Sequence, residues 1–260
     1  MRSMKPIKEI YKYRELLAEL VKRDIKIKYR RSILGILWSV LNPLLFMVVI
    51  TMIFSTIFSS DIENFPIYFL CGQIIFSFFS EATSVAQMSI LGNGALIKKV
   101  YIPKYIFPIS KVCSALVNVG FSLIAIIIML VILKYVPPVT TLLFFIPVIY
   151  VFLYAVGVSM LVSALAVFFR DTIHLYGIFL TVVSYFSALF YPVEIIPVQY
   201  QGIIYFNPIF VFINYFRDLI LNGRIPSLEV NILCIAHCIL ALIVGYYAFK
   251  KSENKFILYI

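Results

Sequence analysis

Six stretches of this chain run for about twenty residues or more with very few charges, at about 34–58, 65–90, 105–133, 142–168, 173–191 and 229–249. An α-helix rises 1.5 Å per residue, so about 20 apolar residues match the roughly 30 Å hydrocarbon core of a bilayer. Of the 260 residues 63% are hydrophobic and 13% charged, whereas an ordinary soluble domain carries roughly 25% charged residues to face water. A membrane β-barrel would show apolar and polar residues alternating in roughly ten-residue segments. These runs are continuous, so the expected fold class is an all-α integral membrane protein with six transmembrane helices, one domain over 1–260.

The charges between the runs give an orientation, because Lys and Arg are retained on the cytoplasmic side. All of the 22 basic residues except Lys134, Arg217 and Arg224 fall before the first run, between the second and third or, for Lys111, just inside the third, between the fourth and fifth, or after the sixth. The opposite side also holds Asp61, Glu63 and Glu194. Both termini are therefore expected in the cytoplasm. The formal net charge of +10 reads as topology and contact with anionic lipid, and not as a nucleic-acid surface.

Residues 1–31 are too polar for a signal peptide. Ile10, Tyr13, Leu16, Leu17, Leu20, Val21 and Ile25 recur at helical spacing, with Lys12, Glu15, Glu19, Lys22, Arg23 and Lys26 on other faces. This predicts an amphipathic helix lying in the inner membrane interface. Residues 34–191 would form the first five spans, 229–249 the sixth, and 250–260 a cytoplasmic tail. Between spans five and six, residues 192–227 hold apolar pieces of only about ten to fourteen residues, punctuated by Pro192, Pro197, Asn207-Pro208 and Asn222-Gly223. Such pieces suit a re-entrant hairpin, which survives at membrane depth only against protein or a water-filled path. A loop of two interfacial helices is the alternative.

Missing motifs bound the chemistry. No Gly is followed by Lys, so the phosphate-binding loop of nucleotide hydrolases is absent and this polypeptide is not expected to hydrolyse nucleotide. Cys234, His237 and Cys238 lie in an apolar run without a fourth ligand, so no metal is expected. Cys71 and Cys113 also lie in apolar runs, where cysteine acts as a small hydrophobe. Glu81 is the one clear acid inside a span and shares a helical stripe with Ser77, Ser80, Ser84 and Gln87. That stripe would face a pore, a partner helix or a headgroup region, and not lipid tails.

The loop after span two places Asn93 and Gly94 before Leu96-Ile97-Lys98-Lys99-Val100, with Tyr101 and Pro103 restarting the chain. Apolar residues beside positive charge on a short loop make a docking patch. With Arg14-Glu15-Leu16-Leu17, the run Leu20 to Arg30, Ser32, Leu34-Gly35, Leu37-Trp38 and Asn42-Pro43-Leu44, this loop resembles the permease subunits of ABC-2 type polysaccharide exporters. Phe169-Arg170-Asp171 with His174, then Tyr191-Pro192 and Asn207-Pro208, extend the resemblance over nearly the whole chain. Members of that family export O-antigen, teichoic acid and capsular chains.

The resemblance implies the type V ABC exporter permease fold, a homodimer, and two copies of a separate ATP-binding subunit that binds ATP and Mg2+; no cofactor is implied in this chain. Asn93, Leu96, Ile97, Lys98, Lys99, Val100, Tyr101 and Pro103 match the family's coupling helix, and Arg170 and Asp171 match a second contact with the ATPase. The hairpin, with Tyr205 and Tyr215, matches its gate helices on the far side of the membrane. The implied substrate is a polyprenyl-pyrophosphate-linked polysaccharide crossing the bacterial inner membrane. A glycan has C–H faces and hydroxyl rims, which suits aromatic rings edged by polar groups. Tyr68, Phe76, Phe79, Glu81, Tyr185, Phe186, Phe190, Tyr191 and Phe206 are the candidates for that path. Arg30 and Arg31 are candidates to receive the anionic lipid headgroup. Export of a drug or small lipid by a permease of the same superfamily is the alternative, and a membrane-embedded polyprenyl-glycan enzyme a more distant one.

Overall fold

The computed structural model describes residues 11–30, 32–57, 64–197, 199, 202 and 204–260. Arg31, Asp61, Glu63 and residues 198, 200, 201 and 203 of the first arm of the expected hairpin lie outside the described residues, as does the side chain of Glu194. The described residues are helices and connecting turns: α1 (Arg14–Tyr29), α2 (Trp38–Ile57), α3 (Phe65–Gln87), α4 (Gly94–Lys99), α5 (Ile106–Ile132), α6 (Phe145–Phe168), α7 (Thr172–Phe186), α8 (Pro208–Arg217), α9 (Leu228–Ser252) and α10 (Phe256–Tyr259).

Helix α3 is the axis of the bundle, packed by α2, α5, α6, α7 and α8. Phe69, Leu70, Ile75, Phe78 and Phe79 of α3 are buried in the main core. A smaller core at the α1 end gathers Leu20, Ile90, Ile97, Phe107, Phe249 and Phe256. The apolar stripe of α1 is thus partly spent on protein: Leu20 is buried, and Tyr13, Leu16 and Leu17 pack beside it. The sequence expectation had placed that stripe in the membrane interface. Pro43, inside α2, cannot donate to the Ser39 carbonyl one turn back. Ser122 of α5 supplies the missing bond, its hydroxyl donating to that oxygen at 3.1 Å.

Helices α6 and α9 cross at closest approach. A Cβ on Gly245 would lie 2.0 Å from the Gly157 carbonyl oxygen, and one on Gly157 would lie 2.4 Å from the Ala241 carbonyl carbon. Small residues let backbones approach in a solvent that gives helices no hydrophobic reason to associate. Toward the opposite end, Asn231 of α9 holds the same group together, its Oδ1 accepting from the Tyr150 and Tyr215 hydroxyls at 3.0 Å each.

Among the described residues, five helical stretches are long and apolar enough to cross a bilayer; the expected sixth, 173–191, is shorter than the sequence reading. Its helix ends at Phe186 after 15 residues, about 22 Å at 1.5 Å per residue. The chain turns through Ala188 in the left-handed region, φ 48°, and the turn is held from outside. Asn207 Nδ2 donates to Ser187 Oγ at 2.9 Å, and Arg217 takes the next carbonyls. Asn207 also caps α8, its Oδ1 accepting from Ile209 N at 3.1 Å, with Pro208 in the first turn, as the sequence reading requires. Gly223, at φ 62°, ends the π-helical turn Asp218–Asn222 that follows α8.

Replacing Gly245 with Leu inserts a side chain into the Gly157 backbone. We expect loss of the monodisperse detergent-solubilised protein or a thermal midpoint lowered by several degrees. Gly177→Leu, at a glycine with nothing within 4 Å, should leave the midpoint near that of the wild type.

Candidate functional site

Three regions carry the residues singled out above. At the α1 end, the turn after α3 delivers α4. Asn93 is buried: its Nδ2 donates to the Ser89 carbonyl at 2.7 Å, and its Oδ1 accepts from Arg23 of α1 at 3.2 Å. Ile97 is buried in the small core and Leu96 packs against it. These three side chains anchor the loop, and Pro103 is half-buried. The surface left open is Lys98, Lys99, Val100 and Tyr101, the last 86% exposed. Arg170 and Asp171 are also exposed.

The tail joins this surface. Lys98 Nζ donates to the main-chain oxygen of Ile260 at 2.6 Å, and Lys104 Nζ to that of Glu253 at 2.5 Å. Burial holds the Lys104 ammonium below its usual pKa, against the opposing pull of Glu253. Phe256 and Tyr259 pack on Phe168, at 5.9 and 4.9 Å between ring centroids.

The second region is a polar cavity between α1, α2, α3 and α5. Glu81 is its centre: Oε1 accepts from Lys28 Nζ at 2.7 Å and from Asn118 Nδ2 at 2.6 Å. Asn118 Oδ1 in turn accepts from the Tyr29 hydroxyl at 3.0 Å, and Tyr29 also bonds Ser39. Glu81 therefore meets the helix-contact alternative, and it also lines this cavity. Ser77 lies on that cavity, whereas Gln87 is buried in the bundle and Ser84 is exposed elsewhere on the helix. Deeper toward the small core, Asp24 pairs with Lys111 at 2.7 Å and Arg23 at 3.2 Å. Arg30, the candidate for a headgroup, is exposed at the end of α1.

The third region is the opposite end. Tyr185 and Phe186 are exposed on α7, and Tyr205 and Phe206 before α8. Phe190 stacks between Phe54 and Phe69, at 6.0 and 5.9 Å. Tyr191 donates to the Tyr185 carbonyl at 2.6 Å, and Tyr68 donates to that of Tyr191 at 3.1 Å. Phe76 is half-buried. Phe79 and Tyr215 are core residues, Phe79 packed on Tyr154 at 5.5 Å and Tyr215 bonded to Asn231. Those two rings pack helices. Pro192 is half-buried and Pro197 exposed in the turn between α7 and α8.

Arg217, which the charge count had assigned to an outer loop, is 3% exposed. Its guanidinium donates to the carbonyls of Tyr68 at 3.2 Å, Ala188 at 3.1 Å and Leu189 at 3.4 Å, and lies 3.5 Å from the Tyr68 ring centroid. Gly72 makes the niche, because a Cβ there would stand 2.8 Å from Arg217 Nη2. One side chain thus joins α3, the turn after α7, and α8. The sequence signal was available: a basic residue ending an apolar helix between Phe216 and Asp218 can face inward as well as outward. Gln73, one turn before Ser77, and Asn118, four residues before Ser122 on α5, were legible in the same way as polar residues inside apolar runs.

Residues 15–221 match the family described as ABC-2 type transporter. The chain is 29% identical over 244 residues to the O-antigen export system permease protein RfbA of Klebsiella pneumoniae, covering 93% of each. It is 27% identical over 252 residues to the protein of the same name from Myxococcus xanthus, covering 96% of this chain and 97% of the relative.

Removing the Arg217 side chain strands the buried carbonyl oxygens of Ala188 and Leu189, each worth roughly 1–3 kcal/mol. Arg217→Met is therefore expected to lower the thermal midpoint well below that of Arg224→Met, whose arginine is exposed. Equal midpoints would show that the cage does not hold this end together.

Proposed function

This chain belongs to the ABC-2 type transporter family, and from that premise we propose that it is the non-catalytic, membrane-spanning subunit of an ATP-driven polysaccharide exporter. Its substrate would be a polyprenyl-pyrophosphate-linked chain of the O-antigen type, moved across a bacterial cytoplasmic membrane. The observation that carries this reading is the end-to-end similarity to permeases of O-antigen export systems. Five apolar helices of spanning length make the chain a multi-pass membrane protein. In the assembled exporter, α7 and the turn up to Tyr191 complete a sixth crossing, the termini lie in the cytoplasm, and residues 192–227 form the outer gate.

The working unit is a pair of these chains with two ATP-binding subunits, which bind ATP and Mg2+. Exposed apolar faces on α2 (Leu45, Val49, Met52) and α7 (Leu175, Ile178, Phe179) suit a second copy. Lys98, Lys99, Val100 and Tyr101 meet the ATP-binding subunit, with Arg170 and Asp171 as a second contact, while Asn93 and Ile97 make the loop part of the bundle. Movement of that loop reaches the membrane part through α1, which bonds Asn93 by Arg23 and Glu81 by Lys28. Coupling requires only that nucleotide-bound partner subunits fit one arrangement of the loops better than the other. The glycan then passes beside Glu81 and Phe76 and leaves past Tyr185, Phe186, Phe190 and Tyr205. Arg30 and Arg31 receive the pyrophosphate at entry.

Deletion of the gene is expected to remove polysaccharide from the cell surface and accumulate its lipid-linked form inside. A surface coat that persists overturns the export reading. Lys98→Glu with Lys99→Glu should abolish copurification of the ATP-binding subunit and export together. If both survive, the coupling surface lies elsewhere.

A further inference from the structure

The cavity around Glu81 has a volume of about 580 Å³, within the ~300–1,000 Å³ typical of sites that enclose small molecules. Its lining combines two kinds of surface. Asn42, Gln73 and Asn118 present side-chain amides, each able to donate and accept as a sugar hydroxyl does. Trp38 and Phe46 present flat apolar rings on α2, and Trp38 is 45% exposed. Rings and two-way hydrogen-bonding groups together match a pyranose, whose C–H face is apolar and whose rim is hydroxylated.

Charge decides between a sugar and a phosphate. The fixed charges on the wall are Lys28 and Glu81, paired at 2.7 Å, so the cavity is neutral overall and its cation is already engaged. Arg23 and Lys111, the next cations, are taken by Asp24 outside this lining. Both bonds to Glu81 fall on Oε1, and among the described residues no donor is recorded on Oε2. That leaves one carboxylate oxygen to accept from a hydroxyl.

We propose that this cavity is a binding site for a neutral sugar unit, seated against Trp38 and hydrogen-bonded by Asn42, Gln73, Glu81 and Asn118. The site deepens the export reading by placing a glycan contact at the α1 end of the bundle, on residues separate from the aromatic candidates of the opposite end. It rests on that reading only for the source of the sugar.

Trp38 is the one tryptophan of the chain, so intrinsic emission reports on this cavity directly. The full chain in phosphatidylcholine nanodiscs would be titrated with neutral oligosaccharides of glucose, mannose, galactose and N-acetylglucosamine, and separately with inorganic pyrophosphate. We expect a saturable change in Trp38 emission with at least one oligosaccharide and none with pyrophosphate. Asn42→Ala and Glu81→Gln should each weaken binding roughly tenfold, the loss expected when a hydrogen bond to a bound ligand is removed. Asn42 carries no recorded hydrogen bond among the described residues, so its variant tests the site even if Glu81→Gln fails to fold. A flat titration with every sugar overturns the proposal, leaving Trp38 as an interface anchor. So does a response to pyrophosphate alone, or a sugar response that Asn42→Ala leaves unchanged. The two readings fail separately: a flat titration beside export lost on gene deletion removes the site and keeps the exporter. Saturable binding beside a surface coat that survives deletion does the reverse.

Discussion

Hydrocarbon offers no hydrogen bonds, and each polar group within the bundle must find its partner inside the protein. The secondary structure follows, since helices satisfy their own backbones. Several departures from regular helix are answered by a neighbour. The carbonyl freed by Pro43 is taken by Ser122, and the hydroxyls of Thr83, Ser114 and Ser163 bond carbonyls one turn back. Main-chain oxygens of the wide turn after α8 accept from Tyr135 and Thr140, at 2.8 and 2.7 Å. The arginine of that helix meets the same requirement with three carbonyls. The irregular segment between α7 and α9 is therefore held by protein on several sides, and α8 is buried along nearly its whole length.

Close backbone contact supplies what hydrophobic association cannot. Between α6 and α9 no side chain intervenes at Gly157 and Gly245, so these helices form one unit that also carries the small core and the tail. Helices α2 and α7 also leave many of their apolar side chains exposed.

Much of this was legible in the sequence. Run length and continuity identified five spans within a few residues, because a twenty-residue apolar run has few other uses. Asn207-Pro208 and Asn222-Gly223 marked their turns correctly, since those signals are local. The end of α7 was misread because its cause is not local: Ala188 is an ordinary residue whose left-handed turn depends on contacts from Asn207 and Arg217 about twenty to thirty residues away. The same limit applies to charge. Arg217 and Lys111 were counted by side of the membrane, but a count by side cannot say which cations face water and which are consumed inside. Similarly, Phe79 and Tyr215 carry the same chemistry as Phe186 and Tyr205, and only packing separates rings that join helices from rings left open.

The hydrogen-bond partners of Arg217 are main-chain oxygen atoms, which every amino acid possesses. Positions 188 and 189 can change identity without withdrawing a carbonyl, while position 217 has no substitute with the same fork of donors. Such a contact leaves no paired substitutions behind it as sequences diverge. Comparisons that infer proximity from correlated change would miss the link between α8 and the end of α7. They would register instead an arginine and, at position 72, a residue too small to fill its niche.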